Sequence, residues 1–98
     1  MKTEAKEFFE QGEMLFATAN DDIQNFNNAV FNYQKAVELG HTVSMFRLGQ
    51  LYEKGVNGHP DVKKAETWYR KAAEHDIMPA WSALGRILLN NNGNDKSL

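Results

Sequence analysis

Three histidines, two acidic pairs and one glycine-rich turn are the residues that could do chemistry in this 98-residue chain. His41, His59 and His75 are far apart and show no HxxxH or HExxH spacing, so they do not present two imidazoles on one helical face to a metal. His75 sits near an expected helix end, where its charged form meets the dipole favourably. Glu4/Glu7 and Asp21/Asp22 read as solvated charge or helix caps rather than a general acid/base couple. Gly55-Val56-Asn57-Gly58 lacks the Lys-Ser/Thr that completes a phosphate-binding loop. The segment Gly12-Glu13-Met14-Leu15-Phe16 falls inside a helix. There is no cysteine, which removes disulfides, thiol catalysis and thiolate metal sites. No nucleophile has a base beside it at a readable spacing. The aromatics fall at core spacing rather than as a base-stacking platform. The sequence therefore implies no catalytic, cofactor or metal residues, and the chain reads as a non-enzyme.

With chemistry set aside, the elements carry the information. The length allows one domain. A composition of 42% hydrophobic and 24% charged residues excludes wholesale disorder. The net charge of −2 argues against a nucleic-acid partner, which asks for a basic face. No apolar run approaches the ~20 residues of a membrane span, so no membrane partner is expected. The charged opening Met1-Lys2-Thr3-Glu4 is not a secretory signal, and a cytoplasmic location follows as the expectation. Met1 and the asparagine-rich end suggest a complete product rather than a fragment of a longer array.

Apolar periodicity predicts five helices and no strands. The first covers about 3–18, with Ala5, Phe8, Phe9, Gly12, Leu15 and Phe16 at helical spacing. The second covers about 26–39, its stripe formed by Phe26, Ala29, Tyr33 and Ala36 and closed by Gly40. Thr42 is a fair N-cap for a third helix over about 43–54. Pro60 and Asp61 open a fourth over about 60–75, striped by Val62, Ala65, Tyr69 and Ala72. His75-Asp76 stands where a glycine is expected. Pro79 suits the first turn of a fifth helix over about 79–90. Residues 91–98 read as a polar, disordered tail after a domain spanning 1–90.

The stripes repeat. Ala29, Tyr33, Lys35, Ala36 and Glu38 recur 36 residues later as Ala65, Tyr69, Lys71, Ala72 and Glu74, and Leu48-Gly49 recurs as Leu84-Gly85. A fixed period of this size marks stacked helical hairpins. The chain from Ser44 to Ala73 resembles a Sel-one-like repeat, a relative of the tetratricopeptide repeat. The resemblance rests on Ser44, Phe46, Leu48-Gly49, Tyr52, Gly55-Val56, Asp61, Ala65, Trp68-Tyr69 and Lys71-Ala72-Ala73. Downstream, Ala80 and Leu84-Gly85 match, but Leu88 stands where tyrosine is expected. Upstream, Tyr33 and Lys35-Ala36 match, with Asn32 in place of tryptophan. The first helix fits if Gly12 pairs with Gly49. The resemblance implies an all-α solenoid of about two and a half repeats that binds proteins, as an adaptor or regulator, without activity of its own. Gly49, Tyr52, Ala65, Trp68, Tyr69, Ala72 and Gly85 are expected to pack the repeats. The two glycines would admit a close partner helix, since packing must offset a cost of up to ~1 kcal/mol for glycine inside a helix.

Solenoids bind along the face lined by the first helix of each hairpin. On that face the register places Glu10, Glu13, Arg47, Gln50 and Arg86, a polar groove suited to a peptide or protein loop. At the other end, the fifth helix has no hairpin after it. Trp81, Leu84 and Leu88 would form an exposed end for a partner or a second copy of the chain. An immunity or inhibitor protein that occupies a toxin or enzyme is the alternative reading. A small enzyme is the remaining one, and a deep pocket of convergent titratable groups would be its sign.

Overall fold

The computed structural model describes the backbone of residues 3–96 and the side chains of residues 4–90. Five α-helices follow one another: α1 (Thr3–Phe16), α2 (Ile23–Glu38), α3 (Val43–Lys54), α4 (Val62–Glu74) and α5 (Met78–Lys96), with a 3-10 turn at Ala19–Asp21 between the first two. No strand forms among the described residues; Val56 and His59 make one isolated bridge in the α3–α4 loop. α1 pairs with α2 and α3 with α4 as antiparallel hairpins, and α5 opens a third. The molecule measures 51 × 30 × 16 Å, an elongated slab with wide faces.

Caps explain where the boundaries depart from expectation. α2 begins three residues before the predicted start because the Asp22 carboxylate accepts from Gln24 N (2.8 Å) and Asn25 N (3.3 Å). α4 begins after Asp61, which accepts from Lys64 N at 3.1 Å and so caps the helix instead of lying in its first turn. Thr42 makes no side-chain cap to α3. Instead, His41 Nδ1 pairs with the buried Ser44 hydroxyl at 2.9 Å across that turn. α5 is longer than its apolar pattern suggests. Its bounds run to Lys96, so the expected polar tail from residue 91 falls partly on helix; Ser97 and Leu98 lie outside the described residues.

The two hairpins end alike. At the end of α2, Gly40 N–H donates to Val37 O and His41 N–H to Ala36 O. At the end of α4, Asp76 N–H donates to Ala73 O and Ile77 N–H to Ala72 O. These are two Schellman caps one repeat apart, each with its central residue left-handed. Gly40 has φ +96 and Asp76 φ +65. Asp76 therefore takes the conformation that the sequence assigned to a glycine.

Packing repeats as well. A Cβ on Gly12 would lie 2.7 Å from the Tyr33 ring, and one on Gly49 would lie 2.6 Å from the Tyr69 ring. Phe9 lies 6.0 Å from Tyr33 and Phe46 lies 5.6 Å from Tyr69, between ring centroids. The register of Gly12 with Gly49 is thus a structural one. Ala29, Tyr33, Leu48 and Leu51 are buried in the cluster under α1–α3, and Ala65, Tyr69, Ala72, Leu84 and Ile87 in the cluster under α3–α5. Trp68 and Tyr52 pack against both clusters and join them. Gly85 corrects the expectation. It is exposed, and among the described residues no atom lies within 4 Å of an added Cβ, whereas Gly12 and Gly49 each carry a tyrosine ring.

Candidate functional site

α1, α3 and α5 present one face each to the same side of the slab, and charged side chains bridge them. Glu13 on α1 accepts from Arg47 on α3 through both oxygens, Nε to Oε1 at 2.7 Å and a terminal nitrogen to Oε2 at 3.2 Å. Tyr33 O–H donates to the same carboxylate. Arg47 also donates to Gln50 Oε1 at 2.9 Å and lies over the Phe16 ring, 5.3 Å from its centre. One hairpin on, Glu53 of α3 accepts from Tyr69 O–H at 2.7 Å and from two nitrogens of Arg86 on α5. α1 and α3, the first helices of the two hairpins and with α5 the A helices of the array, thus each supply a carboxylate that holds the tyrosine of the same hairpin and the arginine of the next A helix.

The electrostatics follow from these bonds. Burial pushes the Glu13 carboxyl up, but hydrogen bonds from Arg47 and Tyr33 more than offset it and leave it below the ordinary carboxylate range. Arg86 holds Glu53 below that range too, against the effect of burial. Burial, and then the adjacent carboxylate, push both tyrosine hydroxyls well above ten, so they stay protonated donors. His41 is lowered by burial, partly opposed by Glu13.

Of the groove residues named from sequence, Glu13, Arg47 and Gln50 come together. Arg86 joins Glu53 instead, one turn away along α3. Glu10 is exposed and, among the described residues, pairs with Lys6 at 3.9 Å. Glu53 and the tyrosine hydroxyls were missed, because the A-helix charges are not in strict register. Glu13–Arg47 spans 34 residues and Glu53–Arg86 spans 33, so opposite charges at nearly one repeat length were the available signal.

The two valleys between A helices differ. Between α1 and α3 the space is taken by Arg47, by its bidentate pair with Glu13, and by Phe9 stacked on His41 at 4.3 Å. One repeat on, Ala83 replaces Arg47 and Ile77 replaces His41. There the valley is an open cleft of about 350 Å³ between α3 and α5, walled by Phe46, Gln50, Glu53, Ser82 and Arg86. It is shallow and mixed in character, with no pair of facing acids or adjacent nucleophile and base.

At the C-terminal edge Trp81 is 54% exposed and Leu88 37%. Leu84 departs from the expected exposed end. It is 5% exposed and packs inward with Tyr69, Ala72 and Ile87, because its repeat equivalent Leu48 is likewise a core residue.

Stacked antiparallel hairpins with a glycine–tyrosine contact in each define an α-solenoid of tetratricopeptide type. The chain belongs to the Sel1 repeat family, whose model matches residues 7–41 and 42–77, that is, α1–α2 and α3–α4 as successive units. Among curated proteins it is similar to chitin synthase regulatory factor 3 of Schizosaccharomyces pombe, with 34% identity over 58 residues. That stretch covers 59% of this chain and 6% of the relative, so the chain spans a small part of that protein's length. No solved structure matches significantly. Sel1 repeats generally mediate protein–protein interaction and are typically non-catalytic. No described helix is long and apolar enough to cross a membrane.

Proposed function

We propose that this protein is a non-catalytic regulatory module that binds a peptide segment of another protein in the valley between α3 and α5. One observation carries the reading: repeat-equivalent valleys are filled by Arg47 on one side and left open by Ala83 on the other. Phe46 and Ala83 offer an apolar floor for a side chain. Gln50, Ser82 and the Glu53–Arg86 pair offer donors and acceptors to an extended backbone. Because Glu53 and Arg86 already satisfy each other, the peptide gains most from polar groups that share this pair rather than break it. Arg47, bonded to the wall residue Gln50, pairs with Glu13 and so ties α1 to α3 beside the cleft. The regulatory role is supported by the similarity to chitin synthase regulatory factor 3.

The test is peptide selection by display on the intact protein, followed by calorimetry. Ser82 is an exposed wall position, so Ser82→Trp fills the cleft without disturbing the core. At least a tenfold loss of affinity is expected, with Glu10→Lys neutral. Peptides that bind Ser82→Trp as tightly as wild type would remove the cleft from the proposal.

A further inference from the structure

The outward face of α5 is built differently from any other face of the array. Met78, Trp81, Gly85, Leu88 and Leu89 follow one another at i, i+3, i+7, i+10 and i+11, a single helical stripe. Met78 is 69% exposed and Leu89 71%, with Trp81 and Leu88 between them. From residue 78 to residue 90 the helix carries one charge, Arg86, and that side chain bonds to Glu53 in the α3–α5 valley, off the stripe. The stripe is therefore apolar and uncharged, and nothing on it repels an identical surface.

The repeat shows what the stripe is shaped to accept. In each complete hairpin an aromatic ring lies on the A-helix glycine, Tyr33 on Gly12 and Tyr69 on Gly49. Gly85 is the third such notch, and it is open. In the second hairpin the ring's hydroxyl is held by Glu53. The residue one repeat beyond Glu53 is Leu89, so the third notch has an apolar neighbour where the second has a carboxylate. A ring without a phenol hydroxyl suits it. Trp81 is such a ring, exposed on the same stripe one turn before the notch.

We propose that two copies of this chain pair through α5 about a twofold axis, each Trp81 seated on the Gly85 of the partner. Two antiparallel α5 helices bring residue 81 of one opposite residue 85 of the other and the reverse, as an isologous contact requires. The stripe exposes an apolar patch in the range of the largest patches on monomers, roughly 300–600 Å². Buried from both sides, a patch of that size gives roughly 600–1,200 Å², the range of weak and transient pairings. A dissociation constant of roughly 1–100 µM is the expected consequence. This pairing is independent of peptide binding at the α3–α5 cleft.

Sedimentation equilibrium on the full chain, from about 5 to about 500 µM, tests it. Wild type is expected to rise from 11.2 kDa to twice that mass. Trp81→Ala removes the ring and Gly85→Leu fills the notch. Each is expected to weaken self-association at least tenfold, with helix content by circular dichroism unchanged. The decisive sample mixes the two variants. The intact ring of one can seat in the intact notch of the other, so the mixture is expected to associate more tightly than either variant alone. A wild type that stays monomeric throughout overturns the proposal and leaves the face to a helix from another protein. A mixture no tighter than its components overturns the ring-and-notch pairing even if wild type dimerises.

Discussion

One added carbon has opposite consequences at two repeat-equivalent glycines. At Gly49 a Cβ would lie 2.6 Å from a Tyr69 ring that is 1% exposed and pinned through its hydroxyl to Glu53, so neither partner can give way. Gly49→Ala is expected to destabilise by about 1–3 kcal/mol. At Gly85 the same methyl meets open space, and Gly85→Ala gains helix propensity of up to about 1 kcal/mol. Urea melts of the two variants, run at concentrations low enough to keep the chains monomeric, separate them by sign. His41 supplies a second test at this scale. Its imidazole is held below its ordinary value of 6.5 by burial, partly opposed by Glu13. The unfolded chain therefore takes up a proton first as pH falls through about 6.5, and stability present above that pH is lost below it. Glu13 and Glu53 are shifted down as well, but their contribution is present above about 4.5 and is lost only at lower pH. Thermal melts between pH 7.5 and 5.5 are expected to show a downward slope in Tm that His41→Gln flattens.

At the scale of elements, the caps decide boundaries and the stripes decide identity. Both tyrosine stripes were legible, because Ala29–Tyr33–Ala36 and Ala65–Tyr69–Ala72 keep apolar residues on one face at steps of four and three. The starts of α2 and α4 were not, since an aspartate reads equally well as a first-turn charge, a turn residue or a cap. Only the hydrogen bonds from Gln24 and Lys64 distinguish these roles. The end of α4 shows the same ambiguity from the other side: Asp76 adopts φ +65 where Gly40 adopts +96. A left-handed aspartate carries a steric cost that glycine avoids, while glycine loses more chain entropy on folding. Asp76→Gly is expected to stabilise by about 0.5–1 kcal/mol, read as a raised urea midpoint with unchanged slope. Gly40→Asp is expected to destabilise by a similar amount.

For the whole molecule, the sequence made the helical array legible but not the charged ties across it. Period and stripe survive small shifts in register, so the array showed through. Glu53–Arg86 stands one turn away from the position that strict repetition would give, and only the packed A helices bring it together. The same nearest-neighbour logic sets how the array comes apart. α3 is gripped from both sides: Leu48 and Leu51 are buried under α2, and Met45 packs into the cluster with α4 and α5. Among the described residues α5 is covered from one side, with Ala80, Ala83, Leu84 and Ile87 inward and Trp81, Leu88 and Leu89 outward. In a solenoid, stability sums over repeats and their interfaces, so the end element opens first. Native-state hydrogen exchange is expected to show α5 amides exchanging through a local opening, several kcal/mol below the global value that protects α2 and α3. Leu48→Ala, in contrast, creates a cavity at the centre of the stack. It is expected to cost about 2–5 kcal/mol and to lower the protection of α2 and α3 together. Uniform protection across all five helices in a monomeric sample would mean that the array unfolds as one unit, with α5 held as firmly as α3.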